Sequence, residues 1–144
     1  VMREIALADL HAQLDADPEN LGLLNAVASF YNIKKEYKKA LNYSTQVLER
    51  DSLNKQALKN IIFGYRGRGE PGDVLDYANR YAMVDPEEIN LQYVLGEVFA
   101  KTLRCQKAIP YLQQVIKKDD TYRNVESLLN QCLQYQREEE ISAS

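Results

Sequence analysis

His11, Cys105 and Cys132 are the residues best suited to reaction chemistry, since an imidazole acts as a general base near neutral pH and a thiolate as a nucleophile or metal ligand. His11 is the only histidine. Its place among the neighbouring residues predicts the outward face of the first helix, and a solvated side chain rather than a base. Cys132 falls in an apolar column beside Leu129 and Leu133 and reads as a core thiol. Cys105 starts a helix, where a thiolate is favoured, yet neither cysteine has an evident activating base. Two cysteines without metal-ligand spacing define neither a disulfide framework nor a redox compartment, and both read as free thiols. No phosphate loop, zinc-ligand spacing, nucleophile elbow or paired-carboxylate motif occurs. The expectation is a chain that is not an enzyme and holds no metal and no cofactor.

Non-covalent binding is then the chemistry to look for. Lys and Arg number 18 against 21 Asp and Glu in 144 residues, a formal charge of -3. That balance leaves no broad positive field, so nucleic acid is not an expected partner. Lys34, Lys35, Lys38 and Lys39 flank a turn that could meet an acidic partner, although an exposed basic turn is the more frequent explanation. Glu138, Glu139 and Glu140 read as a frayed, solvated end. Apolar residues make up 45% and charged residues 27%, ordinary values for a folded soluble protein. No stretch approaches the roughly 18 apolar residues of a membrane helix, so no membrane span is expected. No charged-then-apolar leader precedes Ala6, but the chain begins at Val1, which leaves a targeting segment open. A cytoplasmic location is favoured on this reading, with an extracytoplasmic one as the alternative.

A period of 34 residues organises the elements. Leu7, Leu41, Leu75 and Ile109 stand at that spacing, as do Leu14, Leu48, Ala82 and Ile116; Asp17, Asp51, Asp85 and Asp119; Tyr43, Tyr77 and Tyr111; and Tyr31, Tyr65, Phe99 and Leu133. Between the columns, apolar residues recur at three- and four-residue steps, as in Leu24, Val27, Ala28 and Tyr31, so each unit is two amphipathic helices. Pro18 and Pro86 follow equivalent aspartates and mark turns, and the short polar pairs Asp51-Ser52 and Asp119-Asp120 can accept from the next helix. Gly67, Gly69, Pro71 and Gly72 make a turn in the middle unit, with Asp73 available as a cap. The pattern predicts helices over 3–16, 21–34, 37–50, 54–66, 73–84, 87–101, 106–118 and 122–139, with no strand. Pro110 is tolerated if its helix begins near Lys107.

These columns resemble the tetratricopeptide repeat: Leu24, Val27-Ala28, Tyr31, Tyr37, Ala40-Leu41, Tyr43, Val47-Leu48 and Asp51-Ser52 in 21–54, with matching positions in 55–88 and 89–122. Ile62 and Val74 replace small residues in the second unit, and Gln92 breaks the large apolar position of the third. Residues 3–20 match a half-repeat, 123–140 a C-terminal capping helix, and 141–144 read as a disordered tail of a single repeat domain spanning 1–144. The resemblance implies an all-α fold, a right-handed α-solenoid of antiparallel helical hairpins whose concave groove binds a segment of another protein.

The resemblance places the groove on the first helix of each unit. The residues it assigns there are Asn25, Ser29, Asn32, Gln56, Lys59, Phe63, Arg66, Tyr93 and Glu97. Amides satisfy an extended peptide backbone, Phe63 and Tyr93 offer apolar area, and Lys59 with Arg66 anchors a carboxylate. A two-carboxylate clamp for chaperone tails is not expected, because Ser29 and Phe63 replace its asparagines and Val94 its cation. Two alternatives stand beside this reading: self-assembly into a homo-oligomer through residues 3–16, with Ala6, Leu7, Leu10 and Leu14 as the contact, and a substrate-positioning domain of a larger enzyme.

Overall fold

Three helix ends are closed in the same way at the 34-residue spacing. The N–H groups of Lys35 and Glu36 donate to the carbonyls of Asn32 and Tyr31 at 3.0 and 2.9 Å. Gly69 and Glu70 do the same to Arg66 and Tyr65 at 3.0 and 3.1 Å, and Leu103 and Arg104 to Ala100 and Phe99 at 3.1 and 2.8 Å. This double closure satisfies the last helical carbonyls and bends the chain through one left-handed residue. φ is 63° at Lys35, 68° at Gly69 and 59° at Leu103. Glycine adopts that conformation freely, whereas the Cβ of Lys35 or Leu103 makes it unfavourable by about 1 kcal/mol. The intervening helices also end alike, with the N–H groups of Asp51, Asp85 and Asp119 on the carbonyls of Val47, Tyr81 and Val115.

The computed structural model describes residues 2–70 and 74–144, with the backbone alone for Arg3 and Leu75. All regular structure among these residues is helical: α1 (Met2–Ala16), α2 (Leu21–Ile33), α3 (Tyr37–Arg50), α4 (Lys55–Arg68), α5 (Val74–Val84), α6 (Ile89–Lys101), α7 (Cys105–Lys118) and α8 (Val125–Ala143). The sequence-predicted ends agree to within two residues except in the last helix. There Arg123, at φ 47°, delays the start to Val125. The same helix runs on through Ala143, so most of the expected disordered tail at 141–144 is helical. Pro71, Gly72 and Asp73, expected in a turn and cap, lie outside the described residues. Packing divides the chain into two compact units, 1–85 and 86–144.

In the first unit the caps differ from expectation in one respect. Asn20 and Asn54, rather than the turn aspartates, accept the N–H groups of Leu23 and Ala57, each at 3.0 Å. Asp17 and Asp51 hold these asparagines by accepting from their Nδ2 atoms at 3.1 and 3.2 Å. The core is drawn from Leu24, Val27, Ala28, Ala40, Val47, Ala57, Leu58, Ile61 and Ile62, with Val74, Ala78 and Tyr81 of α5. Bulky Ile62 and Val74 are fully enclosed at positions where the pattern carries small residues. Tyr31 and Tyr43 stack at 5.7 Å between centroids, and Tyr65 and Tyr77 at 6.2 Å.

His11 is corrected by this packing. It is half-buried, its Nε2 lies 2.9 Å from the Tyr31 hydroxyl, and its ring stands 6.0 Å from those of both Tyr31 and Tyr43. Leu7 and Leu14 are buried while Ala6 and Leu10 are half-buried, so the α1 face considered for self-association is largely covered; α1 packs on α2.

In the second unit α6, α7 and α8 pack on one another. Gln92, at a column otherwise large and apolar, is buried with its amide satisfied: Nε2 donates to Pro86 O at 2.6 Å and Oε1 accepts from Lys118 Nζ at 3.2 Å. α7 begins at Cys105, so Pro110 sits in its second turn and the Gln106 carbonyl loses its helical donor. The free-thiol reading of the cysteines is overturned, because Cys105 and Cys132 are joined by a disulfide that ties the first residue of α7 to α8.

Phe99 stacks on Tyr111 at 6.0 Å, and burial pushes the Tyr111 hydroxyl above its ordinary pKa of 10. Because the folded value is raised, this contribution to stability is complete below the unfolded value and is lost as pH climbs through the folded one. Denaturation series from pH 9 to 11 are therefore expected to show a steeper loss of stability for the parent than for Tyr111→Phe. Parallel curves would remove Tyr111 from the alkaline transition.

Candidate interaction surface on α2 and α4

The polar residues of α2 are used to hold α4. Asn25 Nδ2 donates to Asn54 Oδ1 at 3.0 Å, the oxygen that also caps α4. One turn on, Ser29 Oγ donates to Asn60 Oδ1 at 3.2 Å, and Asn32 Nδ2 donates to the Asn60 carbonyl at 3.0 Å. Asn60 returns a bond from Nδ2 to Asn25 O at 3.3 Å, and its Oδ1 also accepts from Gln56 Nε2 at 3.2 Å. Partners advance along both helices together, so α2 and α4 run parallel with an amide ladder closing their seam. Asn25 Oδ1 and Asn32 Oδ1 are buried in that seam without partners, beyond the reach of a docked ligand.

Asn60, only 3% exposed, is the hub of the ladder and was not among the expected site residues. The signal was a single amide inside the apolar run Ala57, Leu58, Ile61 and Ile62. Asn60→Leu leaves the Ser29 hydroxyl, the Gln56 amide and the Asn25 carbonyl short of partners. The expected loss is about 2–3 kcal/mol, read from urea denaturation, because orphaned buried polar groups lose their full desolvation free energy. An unchanged midpoint would show the seam to be solvated.

Asn25, Ser29 and Asn32, though bonded across the seam, stay half-exposed on α2 beside the groove residues of α4. Gln56 and Arg66 are exposed, Lys59 and Phe63 half-exposed, and the Lys59 ammonium sits 5.9 Å from the Phe63 centroid. Lys59 and Arg66 are seven residues apart on the helix, about 10 Å along its axis. The two positions therefore bracket the aromatic ring on one stripe of the helix.

The two groove residues assigned to the other unit are enclosed. Tyr93 is 2% exposed and Glu97 6%. The Tyr93 ring lies edge-on to Tyr122 at 5.5 Å and beneath the Arg123 guanidinium at 5.2 Å, and its hydroxyl reaches Glu97 Oε2 and Asn124 Oδ1. These side chains connect α6 to the turn before α8 and offer a ligand almost no surface. The nine assigned residues thus separate into a seam (Asn25, Ser29, Asn32), a stripe (Gln56, Lys59, Phe63, Arg66) and a buried pair. The basic turn is partly neutralised, since Glu36 pairs with Lys34 at 3.6 Å and with Lys39 at 3.4 Å.

Among the described residues no three His, Cys, Asp or Glu side chains gather as a metal site, and no helix is long and apolar enough to cross a membrane. No protein-family model matches the chain, and no curated protein matches it.

Proposed function

We propose that this chain is a non-catalytic protein-interaction module, a right-handed α-solenoid of tetratricopeptide-like hairpins that takes an acidic segment of a partner protein along α4. The observation that carries this reading is the stripe of Gln56, Lys59, Phe63 and Arg66, set on a helix that the amide ladder ties to α2. A rigid backbone under two long cations and a half-exposed ring lowers the ordering entropy that binding must overcome. The thrice-repeated helix closure at Lys35, Gly69 and Leu103 supports the repeat reading. Self-assembly through α1 has weaker support, because Leu7 and Leu14 are buried.

The test is capture of partners from the source lysate, identification by mass spectrometry, and measurement of affinity for the identified segment. Lys59→Glu, Arg66→Glu and Phe63→Ala combined are expected to weaken binding at least about tenfold, the loss of one good anchor, while the denaturation midpoint stays near the parent's. Unchanged affinity would move the site off α4, most directly to the basic turn around Lys38.

A further inference from the structure

The Cys105–Cys132 bond lies between two open clefts. One, of about 380 Å³, is walled by Arg104, Cys105, Gln106 and Lys107 on the α7 side and by Tyr135, Gln136 and Glu139 on α8. The other, of about 260 Å³, is walled by both cysteines with Ala100, Gln131, Gln134 and Glu138. Cys105 borders both clefts, whereas Cys132 borders only the second. At 4% and 1% exposure, neither cysteine is open to a bulky protein surface, but Cys105 forms part of the wall a small molecule meets in either cleft.

Charge makes the larger cleft selective. Cys105 is the first residue of α7, and Arg104 before it makes no side-chain cap, so the positive end of the helix faces the cleft without an internal anion. Arg104 and Lys107 add two cations against the single carboxylate of Glu139. The amides of Gln106 and Gln136 add donors.

We propose that Cys105 is a mixed-disulfide modification site for a small thiol bearing carboxylates, which enters the cleft between α7 and α8 and opens the bond to Cys132. The incoming thiolate forms a new S–S bond to Cys105 Sγ as the Cys105–Cys132 bond breaks. The released electron pair stays on Cys132 Sγ, which takes up the proton the incoming thiol gave up. The carboxylates of the adduct rest beside Arg104, Lys107 and the α7 N-terminus. A second equivalent of thiol frees Cys105 and leaves as its symmetrical disulfide, so the protein gains two electrons and two thiols for two thiols oxidised. Attack at Cys132 instead would place the adduct beside Glu138, away from both cations.

The full chain, oxidised and shown by thiol titration in denaturant to hold no free cysteine, is incubated with reduced glutathione or with uncharged 2-mercaptoethanol. Samples are acid-quenched and the adduct mapped by peptide mass spectrometry. The glutathione adduct is expected on Cys105. Arg104→Glu with Lys107→Glu should lower its rate of formation by about three- to tenfold at low salt, leave the 2-mercaptoethanol rate within about twofold, and lose the difference at high salt. Circular dichroism of the double variant confirms its helices. An adduct mapped to Cys132, an equal change for both thiols, or two titratable thiols in the oxidised parent would each overturn the assignment.

Discussion

Truncating Phe99 to alanine is expected to lower stability by about 3–5 kcal/mol, the range for removing a buried aromatic ring from a packed core. The ring is fully enclosed and stacks on Tyr111, while its own carbonyl receives the Arg104 N–H that closes α6. Neighbours on either side are held by helix geometry, so the void cannot collapse cheaply. Urea denaturation followed by circular dichroism reads the loss. Leu133→Ala is the contrast: this side chain, 37% exposed on α8, carries less packing, and its removal is expected to shift stability by well under half as much. A Phe99→Ala transition at the parent's urea concentration would mean that the unit 86–144 is not packed around this ring. The equivalent residues of the other hairpins form a gradient, since Tyr31 is buried and Tyr65 half-exposed. Tyr65→Ala therefore falls below Tyr31→Ala.

Most of the helix map was legible because the 34-residue period repeats both the apolar face and the punctuation that ends each helix. What the period could not convey was where polar side chains point once two helices meet. Asn25, Ser29 and Asn32 form a polar stripe, which on an isolated helix reads as solvent-facing; α4 meets one edge of it, where Asn54 and Asn60 supply the matching groups, and the three side chains stay half-exposed. Tyr93, by its place in the repeat, offers apolar area to a ligand, but Tyr122 and Arg123 occupy that face first. His11 was a misread signal rather than a hidden one. It stands four residues after Leu7 and three before Leu14, both buried, and that spacing places it on the inner face.

The cysteine pair was also within reach of the repeat. Cys105 and Cys132 lie two periods beyond Tyr37 and Gly64, and Tyr135 two periods beyond Gly67. A Cβ on Gly67 would meet the Tyr37 ring at 2.2 Å, so the first residue of α3 packs on the end of α4. The same hairpin-to-helix geometry, carried to α7 and α8, brings position 105 to position 135, one helical turn from 132.

Reducing that bond is expected to destabilise the unit 86–144 by about 3–4 kcal/mol, the loop-closure contribution for a crosslink over a span of 27 residues. The effect acts on the unfolded chain, which regains the freedom of the segment from the start of α7 to the middle of α8. It acts on the folded chain as well. α8 buries only Val125, Leu128 and Cys132 completely, so beyond the crosslink its last turns have few apolar contacts of their own. Urea titrations of the parent with and without a dithiol reductant should separate in midpoint, and Cys132→Ala should show one midpoint under both conditions. Hydrogen exchange localises the change: amides of α7 and α8 gain exchange on reduction, while those of α2 and α3 do not. Coincident parent midpoints would show that the unfolded state already holds positions 105 and 132 together, or that the bond contributes nothing to the fold. Uniform exchange gain throughout the chain would instead make 1–85 and 86–144 a single cooperative unit, and the crosslink would then act on the whole molecule.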